Sequence, residues 1–570
     1  MTEPSSSRDP IFSLSDEFVD AFAVACPVDA SLVGVACDAG AWNDWSPAGV
    51  AAWGSTLTSF RERLHALPPV ASNPWASLAR RVMANYLDER LDEQAHGEHL
   101  VNLNNIDSTL QHMRMVFDMM DTSSAAGWEA VLRRLETVDR AAKSYQASLE
   151  EGRRSGKVVA KRQVQAGITQ AEHQAGPSSF FLTLLSTAEA AEKATPGSVS
   201  VAVLERLPAA VENARRTFGE LARYLAETYL PDASEVDGVG EARYQRASRR
   251  FLGANIDLRE TYAWGWAEVR RIEAEMAALA EQIQPGATVP EVIRMLEQDP
   301  ARCAGSLDEF LELMRERQAR ALADLEGVHF DVPEPIRRIE VKLAPPGGAL
   351  GAYYLPPSEG FKRPGTIWYA PGEVCQVPLY GEISTAYHEG FPGHHLQCGL
   401  QVYFEEQLSR VHRFLVMYSG YAEGWALYAE QLMGELGYFE KPEYVLGMLA
   451  AKLMRAYRVV IDIGMHLDLP IPKDAPAHGG ERWSYEAAVE MMEGRAFMAS
   501  DHARSEVTRY LGWPGQAISY KVGERVMLEL RAEMRRRQAE AFDLKAFHGK
   551  VLGAGSVGLD LLRELVLNEA

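Results

Sequence analysis

The amino-acid sequence predicts a mainly α-helical fold carrying one small β-sheet, on three observations. Apolar residues recur at helical spacing through most of the chain. One stretch, 336–378, alternates apolar and charged residues instead. The third is size: 570 residues, 47% of them hydrophobic and 24% charged, bury a substantial core without disulfide or metal staples.

The helical reading covers segments near 57–97, 104–122, 125–150, 200–228, 256–284, 300–326, 411–436, 442–468 and 514–540. Trp266, Val269, Ile272, Met276 and Leu279 draw a single apolar stripe through one of them. In the exceptional stretch Ile339, Val341 and Leu343 alternate with charges, two Pro/Gly-rich runs follow, and Thr366-Ile367-Trp368-Tyr369 closes it as a further strand. The polar, Gly-containing run Pro231 to Glu241 marks a joint, dividing the chain into an N-terminal helical half, 1–235, and a C-terminal half, 236–570, that holds the sheet and the candidate site. No repeat or low-complexity tract interrupts it.

Charge narrows the partners. With 58 Lys+Arg against 79 Asp+Glu the net charge is −21, which repels phosphate backbones and anionic membranes. The basic run Arg153, Arg154, Lys157, Lys161 and Arg162 has no interleaved aromatics for base stacking and reads as a solvated corner between helices. No nucleic-acid or membrane partner is expected, and no segment reaches the roughly 18 uninterrupted apolar residues of a membrane span. Cys26, Cys37, Cys303, Cys375 and Cys398 are odd in number and contain no CxxC pair, as in a reducing compartment. Met1 to Pro10 is polar and Asp20 interrupts the apolar stretch from Phe18 to Val28, so no export signal is expected and the expected location is cytoplasmic.

Chemistry concentrates in Tyr387-His388-Glu389-Gly390-Phe391-Pro392-Gly393-His394-His395-Leu396-Gln397. It follows the β segment as the His-Glu element of zincin metallopeptidases follows a sheet. In HExxH two histidines one turn apart chelate zinc, and the Glu beside the first is the general base. Here His388 and His394 are six residues apart, about 600° on a regular helix, leaving their side chains roughly 120° apart. Pro392 cannot donate to the His388 carbonyl, so the helix must kink or bulge there. A bulge absorbing one or two residues returns His394 to the metal face; an undisturbed helix puts His395 there instead. Spacing leaves both open. A third ligand is offered by Glu423 or Glu430, seven apart on one helix face in aromatic surroundings, one ligating while the other orients a ligand.

His388-Glu389-x-x-Pro392-Gly393-His394, Glu423-Gly424-Trp425-Ala426-x-Tyr428-x-Glu430 and Trp513-Pro514-Gly515-Gln516-Ala517-x-Ser519-Tyr520-Lys521-x-Gly523 together resemble the bacterial domain of unknown function 885 family, regarded as zincin-like metallopeptidases. Tyr353-Tyr354-x-Pro356-Pro357-Ser358 and Arg458-x-x-x-Asp462-x-Gly464-x-His466 extend the likeness over nearly the whole chain. The resemblance implies a zincin-like helical architecture with a deep cleft, Zn2+ on His388, His394 and Glu423, and Glu389 as base. Many relatives look like exported lipoproteins.

Further polar groups complete the expected site. Tyr520 and His466 are candidates to stabilise the oxyanion of a tetrahedral intermediate. Arg458, Asp462 and His466 recur every four residues and can line one helix face. Lys521 or Arg458 is suited to a substrate carboxylate. Trp368 and Tyr369 lie on a short strand whose exposed edge would hold an extended peptide through main-chain hydrogen bonds to 366–370. Cys398 reads as a packing residue. The expected activity is that of a zinc hydrolase cleaving an amide in a short peptide or aminoacyl conjugate, with zinc lowering the pKa of water from 15.7 to about 7. The alternatives are an amidohydrolase acting on a modified amino acid or natural-product intermediate, and a non-catalytic zinc- or peptide-binding helical protein. Intact Glu389 argues against the last.

Overall fold

Several helices start on a side-chain cap that the sequence supplies. Ser124 accepts a hydrogen bond from Gly127 N at the start of α1 (Ala125–Arg154), whose face from Trp128 through Leu135, Val138 and Tyr145 to Leu149 is buried. The structure is a computed structural model that describes residues 9–69, 73–344, 351–372 and 376–568; Met1 to Arg8 and Cys375 lie outside the described residues. Two compact units emerge, Met1–Asp237 with Gln407–Leu415 and Leu511–Trp513, and Gly238–Glu406 with Val416–Tyr510 and Pro514–Ala570.

In the first unit α1 packs with α2 (Lys161–Ala175) and α3 (Val201–Tyr224) around Trp128, Tyr145, Phe181 and Phe218. The basic run turns the corner between α1 and α2, and four of its five charges are paired with acids: Arg153 with Glu150 and Asp232, Arg154 with Glu150, Lys161 with Glu235 and Arg162 with Asp237, while Lys157 donates to the His96 carbonyl. The predicted helix 57–97 is two helices, Pro47–Ala66 and Pro74–Ala95, because Pro68 and Pro69 withdraw two amide donors in succession.

The second unit is built on α4 (Leu258–Ile283). Its apolar stripe is buried at Trp266, Val269, Ile272 and Met276 but ends on Ala280, with Leu279 half-buried. α5 (Leu307–Leu325) precedes the sheet of β1 (Glu340–Leu343), β2 (Gly351–Leu355) and β3 (Thr366–Ala370). The order is β1-β3-β2, with β3 parallel to β1 and antiparallel to β2. A separate two-residue pair joins Cys303–Ala304 to Val377–Pro378.

This order corrects one expectation. Thr366 to Ala370 is the central strand, so both rows of its backbone hydrogen bonds are used and no peptide can add to it. As the most apolar of the three strands, it takes the place shielded on both sides. Then come α6 (Leu379–Glu389), α7 (His394–Tyr403), α8 (Ser419–Glu435), α9 (Pro442–His466), α10 (Ser500–Gly512) and α11 (Ser519–Gln538). The fold is mainly helical, and no helix among the described residues is long and apolar enough to cross a membrane.

Candidate metal centre

The helix carrying His388 does not bulge at Pro392; it stops. α6 ends at Glu389, the Phe391–Pro392 peptide is cis, and α7 begins afresh at His394. Polar side chains from elsewhere satisfy the freed backbone groups. Buried Gln318 on α5 donates to Ala386 O at 2.7 Å and accepts from Phe391 N at 2.7 Å, and Trp425 Nε1 on α8 donates to Pro392 O at 2.9 Å. Only glycine fits at 393, where a Cβ would lie 2.0 Å from His388 O. The break replaces the helical arithmetic, so the last turn of one helix and the first of the next bring His388 and His394 to ring centroids 4.8 Å apart, edge to face.

Glu423 on α8 completes a set. Its Oε2 lies 3.2 Å from His388 Nε2 and 3.6 Å from His394 Nε2, and the three atoms lie within 4.8 Å of one another. Ligands about 2.0–2.1 Å from a tetrahedral zinc sit roughly 3.3 Å apart, close to both spacings. Among the described residues no other cluster of three metal-capable side chains forms. Glu423 Oε2 is buried yet accepts no hydrogen bond of good geometry. Burial raises the Glu423 carboxyl, but the two imidazoles hold it well below the ordinary range.

The other face of His388 is fixed by Glu430. Its Oε1 takes His388 Nδ1 at 2.7 Å and Arg455 Nη1 at 3.0 Å, while its Oε2 accepts from Ser384 Oγ. A carboxylate holding Nδ1–H leaves the Nε2 lone pair pointing at Glu423. Two acceptors face each other there, and a positive charge belongs between them. In the metal-free protein a proton supplies it: burial and Arg455 pull the His388 imidazole down, but Glu423 and Glu430 outweigh them and bring it up to about 9. Glu389 is buried beside this set, and burial, with Glu423, raises its carboxyl above the ordinary value.

His395 belongs elsewhere. Its Nε2 donates to Ile336 O at 2.6 Å, its Nδ1 accepts from Tyr354 Oη at 3.0 Å, and burial lowers it to about 4. Replacing His394 by alanine should therefore abolish tight metal binding, while His395→Ala should keep metal stoichiometry and lower thermal stability, with metal content and Tm as the two readings. The reverse pattern would sink this ligand assignment. Cys398 is a buried free thiol that burial pushes up to about 12, in keeping with a packing residue.

Tyr520, in the first turn of α11, comes to the site through backbone contact. A Cβ on Gly424 would lie 2.5 Å from Gly523 C, so α8 and α11 touch along their glycines and carry Glu423 and Tyr520 together. Burial and the Glu423 carboxylate raise the Tyr520 phenol, and its ring lies 5.7 Å from Arg455 Cζ and 4.6 Å from Arg458 Cζ. Arg455, Gln318 and Ser384 are parts of the centre that sequence reasoning missed; only the three-residue spacing of Arg455 and Arg458 hinted at the first.

Four expected site residues are placed otherwise. His466 is eleven residues beyond Arg455 along α9, about 16 Å. Both its nitrogens are engaged, Nδ1 by Val239 N at 3.2 Å and Nε2 by Tyr510 O at 3.0 Å, and burial takes it to about 4, so it is a core histidine. Of the Arg-Asp-His chain only the Asp–His end forms, with Asp462 Oδ1 3.4 Å from His466 Nε2: Asp462 otherwise accepts from Tyr244 Oη and Gly515 N, and Arg458 turns to Glu506. Lys521 is buried against Glu524 and Glu268 and cannot reach a substrate. Tyr369 packs its ring 5.0 Å from Phe310 in the core, and Trp368 is sandwiched between Tyr353, at 6.4 Å, and Lys342, at 5.6 Å.

Comparison with known proteins agrees with the fold. The family model described as bacterial protein of unknown function (DUF885) matches residues 27–566. A protein of Colwellia psychrerythraea provisionally designated a lipoprotein is similar in crystal structure, with TM-score 0.85 and 22% identity over 98% of each chain. A second protein so designated, of unknown function, from Shewanella oneidensis, gives TM-score 0.73 and 18% identity over 98% of this chain and 99% of the other. No curated protein matches significantly. These neighbours overturn the cytoplasmic expectation, because lipoproteins are membrane-anchored rather than cytoplasmic. Unpaired cysteines report that this core needs no staple, which is a statement about size and not about compartment. The chain belongs to the bacterial DUF885 family.

Proposed function

We propose that this DUF885 protein is a zinc-dependent hydrolase, zincin-like in its chemistry, that cleaves an amide bond in a short peptide or aminoacyl conjugate. The observation that carries the proposal is the buried Glu423 oxygen that lacks a hydrogen bond and faces two imidazole Nε2 atoms. Two imidazoles and one carboxylate are the donor set of an open catalytic zinc site. Zinc held there would polarise a carbonyl and acidify water.

The chain's own residues supply the rest. Glu430, steadied by Arg455 and Ser384, orients His388. Glu389, raised by burial, takes the proton of the attacking water and returns it to the leaving amine. Tyr520, with its phenol kept protonated by burial, donates to the developing oxyanion. A site kept only to bind metal or peptide has no use for a second buried carboxylate beside the first ligand.

Titration of the chelator-stripped protein with zinc tests the metal. One zinc per chain should bind and, because His388 stands near 9 without metal, release roughly one proton at pH 7. Affinity should therefore climb with pH and level off above about 9. Calorimetry in buffers of different ionisation enthalpy reads the proton, and hydrolysis of mixed short peptides should appear with zinc and vanish with chelator. Absence of stoichiometric binding would end this reading.

A further inference from the structure

A second set of charges lies behind Tyr520, and no step of the proposed hydrolysis uses it. Arg458 and Arg509 both turn to one carboxylate, Glu506. Arg458 Nη2 reaches Glu506 Oε2 at 2.7 Å, and Arg509 reaches its two oxygens at 3.0 and 2.9 Å. Tyr510 Oη donates to Glu506 at 2.7 Å, and Arg509 Nη1 donates to Gln516. Arg458 is 8% exposed, Arg509 6% and Glu506 9%. Two guanidinium groups against one carboxylate leave one buried positive charge over. Asp462, the next acid along α9, is turned to other donors, accepting from Tyr244 Oη at 2.9 Å and Gly515 N at 3.0 Å, and burial pushes its carboxyl up to about 8.

The surplus has a free donor. Arg458 makes its bonds through Nε and Nη2, and its Nη1 bonds to no described residue. Its guanidinium is held in place by Glu506, by Tyr510 Oη at 3.3 Å and by the Tyr520 ring, while Arg455 on the same ring touches His388 Nδ1 at 3.4 Å. A rigid planar donor with one surplus charge suits a carboxylate better than a dianion such as a phosphomonoester.

We infer that Arg458, steadied by Glu506 and Arg509, binds a free carboxylate of the substrate within one or two residues of the scissile amide, so that the substrate class is peptides cut next to their C-terminus, or N-acyl amino acids. The inference rests on the hydrolase reading of the metal centre. It corrects the choice between Lys521 and Arg458, since Lys521 is satisfied inside the protein.

The test compares N-benzoylglycyl-L-phenylalanine with its C-terminal amide on the zinc-loaded full chain. The acid should have kcat/KM about tenfold or more above the amide, as a charge-assisted hydrogen bond to a buried arginine requires. Arg458→Met should raise KM for the acid by a similar factor and bring the acid-to-amide ratio of kcat/KM close to one. Arg458→Lys, which keeps the charge for Glu506, should lie between, guarding against loss of fold in the first variant. Calorimetric binding of both compounds to the zinc-loaded Glu389→Gln protein gives a reading without turnover. Equal turnover of acid and amide overturns the carboxylate site and leaves the hydrolase standing. Selective, Arg458-dependent binding of the acid with no turnover by wild type upholds the carboxylate site and ends the hydrolase reading. Binding of neither compound overturns the inference.

Discussion

Glu423→Gln should lose tight zinc binding. Affinity should fall by more than the roughly 10–100-fold that removal of an outer-shell partner costs, because a ligand and its charge go together. The exchange is nearly isosteric, so the fold should survive, and in the metal-free variant His388 should titrate closer to its ordinary value because one of the two carboxylates in direct contact with it is gone. Glu430→Gln is the matched comparison. Glu430 holds Nδ1–H from the far side and ligates nothing, so zinc should still bind, about 10–100-fold more weakly. Competition with a chromophoric chelator measures both. Stoichiometric zinc of unchanged affinity in Glu423→Gln would shift the third-ligand role to Glu430 and discard the geometry drawn around His394.

How much of this centre could be read from the chain depends on how far apart the partners lie. Residue type and one short motif mark His388 and Glu389 and narrow the other two positions to His394 or His395 and Glu423 or Glu430, between which the family resemblance chooses. Pro392 shows that the helix cannot run on, but the choice between a bulge and a full break is made by Gln318, 73 residues before Phe391, and by Trp425, 33 residues beyond Pro392. No local pattern carries that information. Strand order is non-local in the same way: the prolines at 364 and 371 bound the length of 366–370, yet its place between β1 and β2 depends on which neighbour pairs with it. Arg458 and Lys521 look alike as buried cations in sequence. They differ in count of partners, for Lys521 faces two acids while Arg458 and Arg509 divide one. The helical stripes, by contrast, are local, and the stripe along α4 is displaced only at its last member.

The separation of binding from chemistry falls to Glu389. It stands next to His388 in the chain but is not one of the three ligand positions, and its buried carboxyl is raised rather than paired with a cation. Glu389→Gln should keep one zinc per chain and a wild-type Tm, since the amide fits the same space and removes a buried negative charge beside Glu423. It should lower kcat by about 10²–10⁴, the usual worth of a general base, with KM little changed because proton transfer is made only in the transition state. The acidic limb of the kcat/KM profile should disappear with it, because the carboxyl that must be ionised in wild type is gone. Activity within about tenfold of wild type, or an unchanged acidic limb, would remove Glu389 from the base role. Loss of zinc in this variant would show instead that the carboxyl ligates, and a metal held by both acids would have too few open positions for the proposed hydrolysis.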